Sequence, residues 1–158
     1  NTHSALLSNR LDFEFYNFGF SSRALGQPSI AKFIAGFDMS AFVYDYDYNA
    51  PNGDHLKATH EPFFNIVREA HPNLPIIMIS RPVPYIKEEV IVNRAIIKQT
   101  YENAKAKGDE NVYFIDGSKV FPFTLGGDCT IDGCHPNDHG FMLMAKAFYP
   151  VLKEILEK

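Results

Sequence analysis

Apolar residues along this chain fall into two kinds of segment, short continuous runs and longer stretches with helical spacing. Continuous apolar runs bounded by polar turns are typical of strands that are covered on both faces. Four segments have this character: FEFYNF at 13–18, SAFVYDYDY at 40–48, LPIIMIS at 74–80 and NVYFID at 111–116. They predict four strands.

Segments with apolar residues at helical spacing separate these runs. They are the opening HSALLSNR, SIAKFIAG at 29–36, residues 54–71, residues 85–107, and a last segment from about residue 138 to the end. Asp54 is the predicted N-cap of the third helix, and Asn137 or Asp138 is that of the last. The alternation of helices and strands predicts a flavodoxin-like parallel sheet with helices on both faces, a three-layer α/β/α fold.

The composition narrows the classes of function. At 158 residues, with 46% hydrophobic and 22% charged residues, the chain is typical of a globular domain, and no repeat or linker divides residues 1–158. A net charge of -4 disfavours a nucleic-acid partner, and no apolar run approaches the roughly 18 residues of a membrane span. Cys129 and Cys134 imply no disulfide framework; they form either a local bridge or two reduced thiols.

In a parallel α/β sheet the ligand site lies beyond the carboxyl ends of the strands. The loops that follow the four predicted strands are rich in polar residues, namely Ser21, Ser22, Arg23, Asp45, Asp47, Asn49, Arg81, Asp132 and His135. The chemistry of the protein is therefore expected in these loops.

The stretch DGCHP at 132–136 is the strongest candidate for catalysis. A histidine acts as a general base when an acceptor holds its other ring nitrogen in one tautomer. Asp132, three residues before His135 across a turn shaped by Gly133 and Pro136, can be that acceptor. The alternative is a turn aspartate followed by a histidine at a helix start.

Two further strand-end loops offer hydrogen-bond donors. Asn49 is either a turn residue or an amide donor for a developing oxyanion. In NFGFSS at 17–22, Gly19 and the backbone N–H groups of Ser21 and Ser22 offer similar donors. Either serine could be proposed as a nucleophile, but neither lies in a G-x-S-x-G elbow.

Arg81 and Tyr48 are candidate substrate-binding residues. Arg81 lies between a strand end and a proline, where it can hold a carboxylate or a sugar hydroxyl, or instead pair with Asp45 or Asp47.

The sequence has the features of neither a metal site nor a phosphate-binding loop. CHPNDH at 134–139 has four metal-ligating residue types but neither C-x-x-C nor H-E-x-x-H spacing, so no metal is expected. No glycine-rich phosphate loop follows a strand, which disfavours a nucleotide binder.

Several of these segments together resemble the SGNH hydrolases, the GDSL-like lipase/acylhydrolase family. NFGFSS resembles the second block of the family, YDYDYNAP the third, and DGCHPNDHGFMLMA the fifth. The resemblance implies Asp132 and His135 as acid and base of a catalytic triad, and Asn49 with the Ser22 N–H as oxyanion donors. It implies no cofactor.

Two departures from the family pattern matter. Ser22 stands where the second block has a glycine. The oxyanion donor at this position is therefore the N–H of a residue that carries a side chain. The first block of the family, which carries the nucleophilic serine directly after the first strand, is not found in the sequence. We therefore expect a central strand and the serine loop in upstream sequence.

The resemblance implies a serine ester hydrolase acting on a small-molecule ester. Short polar strand-end loops favour small acyl groups, such as acetyl on a carbohydrate. The alternative is a non-catalytic module that binds a ligand or a glycan on the same fold. Oligomeric state and cellular location stay open.

Overall fold

The computed structural model describes residues 2–83, 87–122 and 128–158. The helices are α1 (His3–Leu11), α2 (Pro28–Ile34), α3 (Gly53–Ala70), α4 (Glu88–Ala106) and α5 (Asp138–Leu156). The strands are β1 (Phe42–Tyr44), β2 (Ile76–Ile79) and β3 (Val112–Ile115), and 3-10 turns follow β1 and β3. Three of the four predicted strands are confirmed, each shorter than predicted. Residues 85 and 86, the predicted start of α4, lie outside the described residues.

The three strands form a parallel sheet in the order β1-β2-β3. Successive side chains of β2 point to opposite faces and are all fully buried. Ile76 and Met78 join a core with α2, α3 and α4, whereas Ile77 and Ile79 join a second core with α1 and α5. The continuous apolar run of β2 is therefore explained by burial on both faces, and the three-layer α/β/α fold is confirmed.

The predicted strand at 13–18 is wrong. These residues belong to no helix or strand, and Tyr16 is 72% exposed. Phe13 packs against the core of α1 and α5, while Phe18 packs against the core of α2, α3 and α4. The segment therefore crosses from one core to the other. Its aromatic composition satisfies strand propensity, but a strand needs a hydrogen-bonded neighbour, and the described residues supply none.

The outer edge of β1 pairs with no other strand of the described residues. Phe42 N–H donates to Pro75 O at 2.9 Å, on the side of β2. In a strand the next residue points its backbone groups the opposite way, so the N–H and C=O of Val43 face outward. No strand within the described residues pairs with this side, and Val43 is 36% exposed.

Asparagine side chains cap the starts of α3 and α5. Asp54 was predicted to cap α3 but lies in its first turn; Asn52 is the cap, and its Oδ1 accepts from His55 N–H at 2.8 Å. For α5 the cap is Asn137, one of the two residues predicted. Among the described residues, no helix combines the length and apolar character needed to cross a membrane.

Candidate active site

The loop before α5 folds into a closed turn that holds Asp132 and His135. Ile131 N–H donates to His135 O at 2.8 Å, and Asn137 N–H donates to Cys129 O at 3.1 Å. Gly133, at the tip, has a φ of 83°, a left-handed conformation that favours glycine. These contacts tie the two ends of the turn together, so the loop reaches the first turn of α5 in a defined position.

Asp132 and His135 form the predicted pair. Asp132 Oδ1 accepts from the backbone N–H groups of His135 at 2.7 Å and Cys134 at 2.9 Å. Asp132 Oδ2 lies 2.7 Å from His135 Nδ1. The hydrogen bonds from the backbone and ring of His135, and then from Cys134, hold the pKa of Asp132 well below its usual range. A carboxylate facing Nδ1 places the proton there, which leaves Nε2 as the basic nitrogen.

The His135 ring is open to solvent, with 76% of the side chain exposed. A reactant can therefore approach the basic nitrogen of this ring from solvent. This pair is formed entirely within one short loop, so the spacing of its two residues in the sequence is enough to predict it.

Asn49 lies in the 3-10 turn that follows β1. Its backbone N–H donates to Tyr46 O at 3.1 Å, and its side-chain amide donates to Phe20 O at 3.5 Å. An asparagine amide carries two N–H bonds, so one stays available after the contact with Phe20. The contact brings Asn49 to the loop that carries Ser22.

The Ser22 loop is a tight turn closed on the Phe20 carbonyl, which accepts from the N–H groups of Arg23 at 3.0 Å and Ala24 at 3.3 Å. Ser22 has a φ of 56°, in the left-handed region. A side chain there costs on the order of 1 kcal/mol, so this backbone is one that glycine would favour. Serine at this position carries the same backbone N–H donor that a glycine would.

A histidine that the sequence did not single out anchors the same loop. His55, in the first turn of α3, lies with Nε2 2.9 Å from Leu25 O. Its position three residues after the capping Asn52 was visible in the sequence, but its partner lies thirty residues earlier and was not.

Arg81 follows β2 and pairs with Asp47. Its backbone N–H donates to Asp47 Oδ2 at 3.1 Å, and its Nη2 donates to Asp47 O at 3.1 Å. The guanidinium carbon lies 4.4 Å from the ring centre of Tyr48, and the Tyr48 hydroxyl donates to Pro82 O at 2.8 Å. Of Asp45 and Asp47, it is Asp47 that forms the ion pair with Arg81.

Asp47 is buried, and burial raises its pKa to about 6, although the charge and hydrogen bonds of Arg81 oppose the shift. Burial and the Asp132 carboxylate raise the pKa of the Cys134 thiol, and the positive charge of Arg81 opposes this shift. The contacts of Asp47 and Tyr48 with Arg81 and Pro82 show that the turn after β1 and the segment after β2 meet at one edge of the sheet. The substrate-binding roles of Arg81 and Tyr48 stay predictions.

Two further expectations concern metals and cysteines. Across residues 2–83, 87–122 and 128–158, no group of three or more His, Cys, Asp or Glu side chains is arranged to hold a metal ion. Cys129 is buried, Cys134 is partly exposed, and both are free thiols.

Solved structures share this fold. A protein of Bacteroides ovatus assigned as a GDSL-like lipase has 29% identity and a TM-score of 0.84, over 98% of this chain and 47% of that one. The salicylyl-acyltransferase SsfX3 of a tetracycline biosynthetic pathway has 20% identity and a TM-score of 0.82, over 97% and 48%. A family two carbohydrate esterase of Clostridium thermocellum, solved as an active-site mutant, has 14% identity and a TM-score of 0.69, over 98% and 54%.

This chain thus spans about half the length of these structures. No curated protein sequence matches it. The family model of the GDSL-like lipase/acylhydrolases matches residues 1–153, nearly the whole chain. The chain therefore belongs to the GDSL-like lipase/acylhydrolase family.

Proposed function

We propose that this chain supplies the acid, the base and the oxyanion donors of a serine ester hydrolase. The observation that carries the proposal is the 2.7 Å contact between His135 Nδ1 and Asp132 Oδ2. It orients an exposed ring with Nε2 as the free basic nitrogen, the arrangement that activates a hydroxyl nucleophile.

In the proposed reaction a serine hydroxyl attacks the ester carbonyl carbon, and its proton moves to His135 Nε2. The carbonyl electron pair shifts to oxygen, where the Asn49 amide and the Ser22 N–H stabilise the oxyanion. Asp132 stabilises the imidazolium. The intermediate then expels the alcohol, which takes the proton from Nε2, and leaves an acyl-serine. Water then attacks the acyl-serine through the same steps, which restores the serine and releases the carboxylic acid.

The nucleophilic serine is proposed to lie in upstream sequence, on a strand that pairs with the outer edge of β1. The outward backbone groups of Val43 support this placement, because they offer a hydrogen-bonding edge. A strand added in parallel would end at the edge of the sheet that carries Asn49. Its terminal loop would then lie near the loop of Asp132 and His135.

We further propose small acyl groups, such as acetyl on a carbohydrate, as the substrate class. The turn Asp47–Asn49 that follows β1 is short, and each of its three residues carries a polar group. A carbohydrate esterase among the structural neighbours is in keeping with this choice. The test compares the rates at which p-nitrophenyl acetate and p-nitrophenyl octanoate are hydrolysed. Faster turnover of p-nitrophenyl octanoate would contradict a preference for small acyl groups.

The first experiment compares hydrolysis of p-nitrophenyl acetate by residues 1–158 and by a version extended upstream in its own gene. We expect activity in the extended form, lost when an upstream serine of the first block is replaced by alanine. Activity of residues 1–158 alone would place the nucleophile within these residues, at Ser21, Ser22 or another side chain. Inactivity of both forms, toward this ester and toward acetylated sugars, would contradict the hydrolase.

The second experiment tests the pair itself in the active form. His135→Ala should abolish turnover, while His139→Ala, an exposed histidine four residues later on α5, is the matched control. Asp132→Asn keeps an oxygen for the two backbone N–H groups but reverses the preferred ring tautomer, so turnover should fall by about 10³- to 10⁴-fold. Retained activity in His135→Ala would contradict the assignment of the base.

A further inference from the structure

A buried carboxylate that the proposed reaction does not use lies two residues before Asn49. Asp47 begins the 3-10 turn after β1 and is fully buried, whereas buried charges are retained when they are paired and hydrogen-bonded. Its partner is Arg81, whose side chain is only 12% exposed. Such a pair needs a structural or functional reason, since its desolvation opposes its attraction.

The contacts of this pair are reciprocal. The Asp47 carboxylate accepts the backbone N–H of Arg81, and the Arg81 guanidinium donates to the backbone carbonyl of Asp47. Tyr48 adds a second connection, because its ring lies under the guanidinium and its hydroxyl donates to Pro82 O. Asp47 and Tyr48 of the turn are thereby joined to Arg81 and Pro82, the residues that follow Ser80 after β2.

The Arg81 guanidinium makes its contacts within the protein. Nη2 donates to Asp47 O, and Nη1 donates to Glu89 Oε1 at 3.3 Å. Nε faces Asp47 Oδ1 across 3.7 Å, and one face of the group covers Tyr48. The Tyr48 hydroxyl is likewise engaged by Pro82. Both side chains are thus held by contacts that join the turn after β1 to the segment after β2.

We propose that Asp47, Arg81 and Tyr48 are positioning residues that hold the turn carrying Asn49, and so aim its amide at the oxyanion. The inference rests on the proposed function of Asn49 and replaces the substrate-binding role that the sequence suggested for Arg81 and Tyr48. The Asn49 side chain has one long hydrogen bond of its own, to Phe20 O at 3.5 Å. Its backbone therefore has to supply the precision that a donor to a transition state requires.

The test uses two variants that each remove one part of this arrangement. Arg81→Lys keeps a positive charge but loses the planar group over Tyr48 and the paired donors. Tyr48→Phe keeps the ring but loses the bond to Pro82 O. Arg94→Lys is the matched control, because Arg94 makes a partly exposed ion pair with Asp116 at 3.5 Å.

Two readouts are measured on the form that hydrolyses p-nitrophenyl acetate. We expect both variants to lower kcat by about 10- to 100-fold with KM within about twofold, as a misaligned group does. We also expect faster amide hydrogen exchange at residues 47–50, with unchanged exchange in α1 and α5. A raised KM with unchanged kcat would overturn the proposal in favour of substrate contact.

A double variant decides whether Arg81 acts through Asn49. If it does, Arg81→Lys in an Asn49→Ala background should cause little further loss of kcat, whereas additive losses would overturn the proposal. The exchange measurement needs no enzyme activity. Unchanged exchange at residues 47–50 overturns the positioning role even in an active esterase, while absence of all hydrolysis by the unmodified protein is a failure of the proposed function itself.

Discussion

The buried His60 should make the stability of this protein depend on pH. The ring lies in α3 with no solvent exposure, and its centre is 4.4 Å from that of the Tyr44 ring. Nδ1 lies 2.9 Å from Thr100 Oγ1, whereas Nε2 has no hydrogen-bond partner among the described residues. A protonated ring would bury an unpaired charge, so burial lowers the pKa of His60 to about 3.

The direction of the effect follows from the two pKa values. The unfolded chain takes up a proton near the ordinary histidine pKa of about 6.5, but the folded chain does so only near 3. The contribution of His60 to stability is therefore complete above about pH 6.5 and is lost as the pH decreases toward 3. At pH 5 the solution is about 1.5 pH units below the unfolded pKa, and at about 1.4 kcal/mol per unit the contribution of His60 to the free energy of unfolding drops by about 2 kcal/mol.

The assay is urea unfolding at pH 8 and pH 5 of the unmodified protein, His60→Phe and His139→Gln. His60→Phe keeps an aromatic ring beside Tyr44 but cannot titrate, so its loss between the two pH values should be smaller by about 2 kcal/mol. His139→Gln removes an exposed ring and should follow the unmodified protein. His3, whose pKa burial lowers to about 4, contributes to all three alike. An equal loss in His60→Phe and the unmodified protein would refute the reasoning.

Three other predictions concern the site. A Cβ at Gly140 would collide with the Cys129 carbonyl oxygen, so Gly140→Ala should displace the loop of the acid–base pair and lower both stability, by about 1–3 kcal/mol, and esterase turnover. Gly108→Ala, at a φ of 85° with open space around it, should lower stability only; equal turnover losses would refute the loop argument. Ser22→Gly relieves a left-handed serine and should raise the free energy of unfolding by up to about 1 kcal/mol while turnover is kept. Lost turnover there would show that the hydroxyl is used. Asn49→Ala should lower kcat by about 10²- to 10³-fold with little change in KM, and an effect on KM alone would remove Asn49 from the oxyanion site.

The sequence by itself determined the features that depend on near neighbours. The apolar run of Ile76–Ile79 requires burial on both faces, so the parallel sheet and its two helical layers follow from it. Asp132 and His135 are three residues apart across a glycine turn, and their contact needs no other part of the chain. The asparagine cap of α5 is local in the same way.

Only the tertiary structure decided features that depend on distant partners. Residues 13–18 have the composition of a strand, but strand formation needs a hydrogen-bonded neighbour, and none of the described residues pairs with them. Arg81 could have met substrate or either of two aspartates, and the register of β1 beside β2 brings it to Asp47. Asn49 reaches Phe20, twenty-nine residues away, because the turn after β1 and the Ser22 loop meet at one edge of the sheet. Local spacing carries no information about such contacts, since they are set by how strands and helices pack against each other.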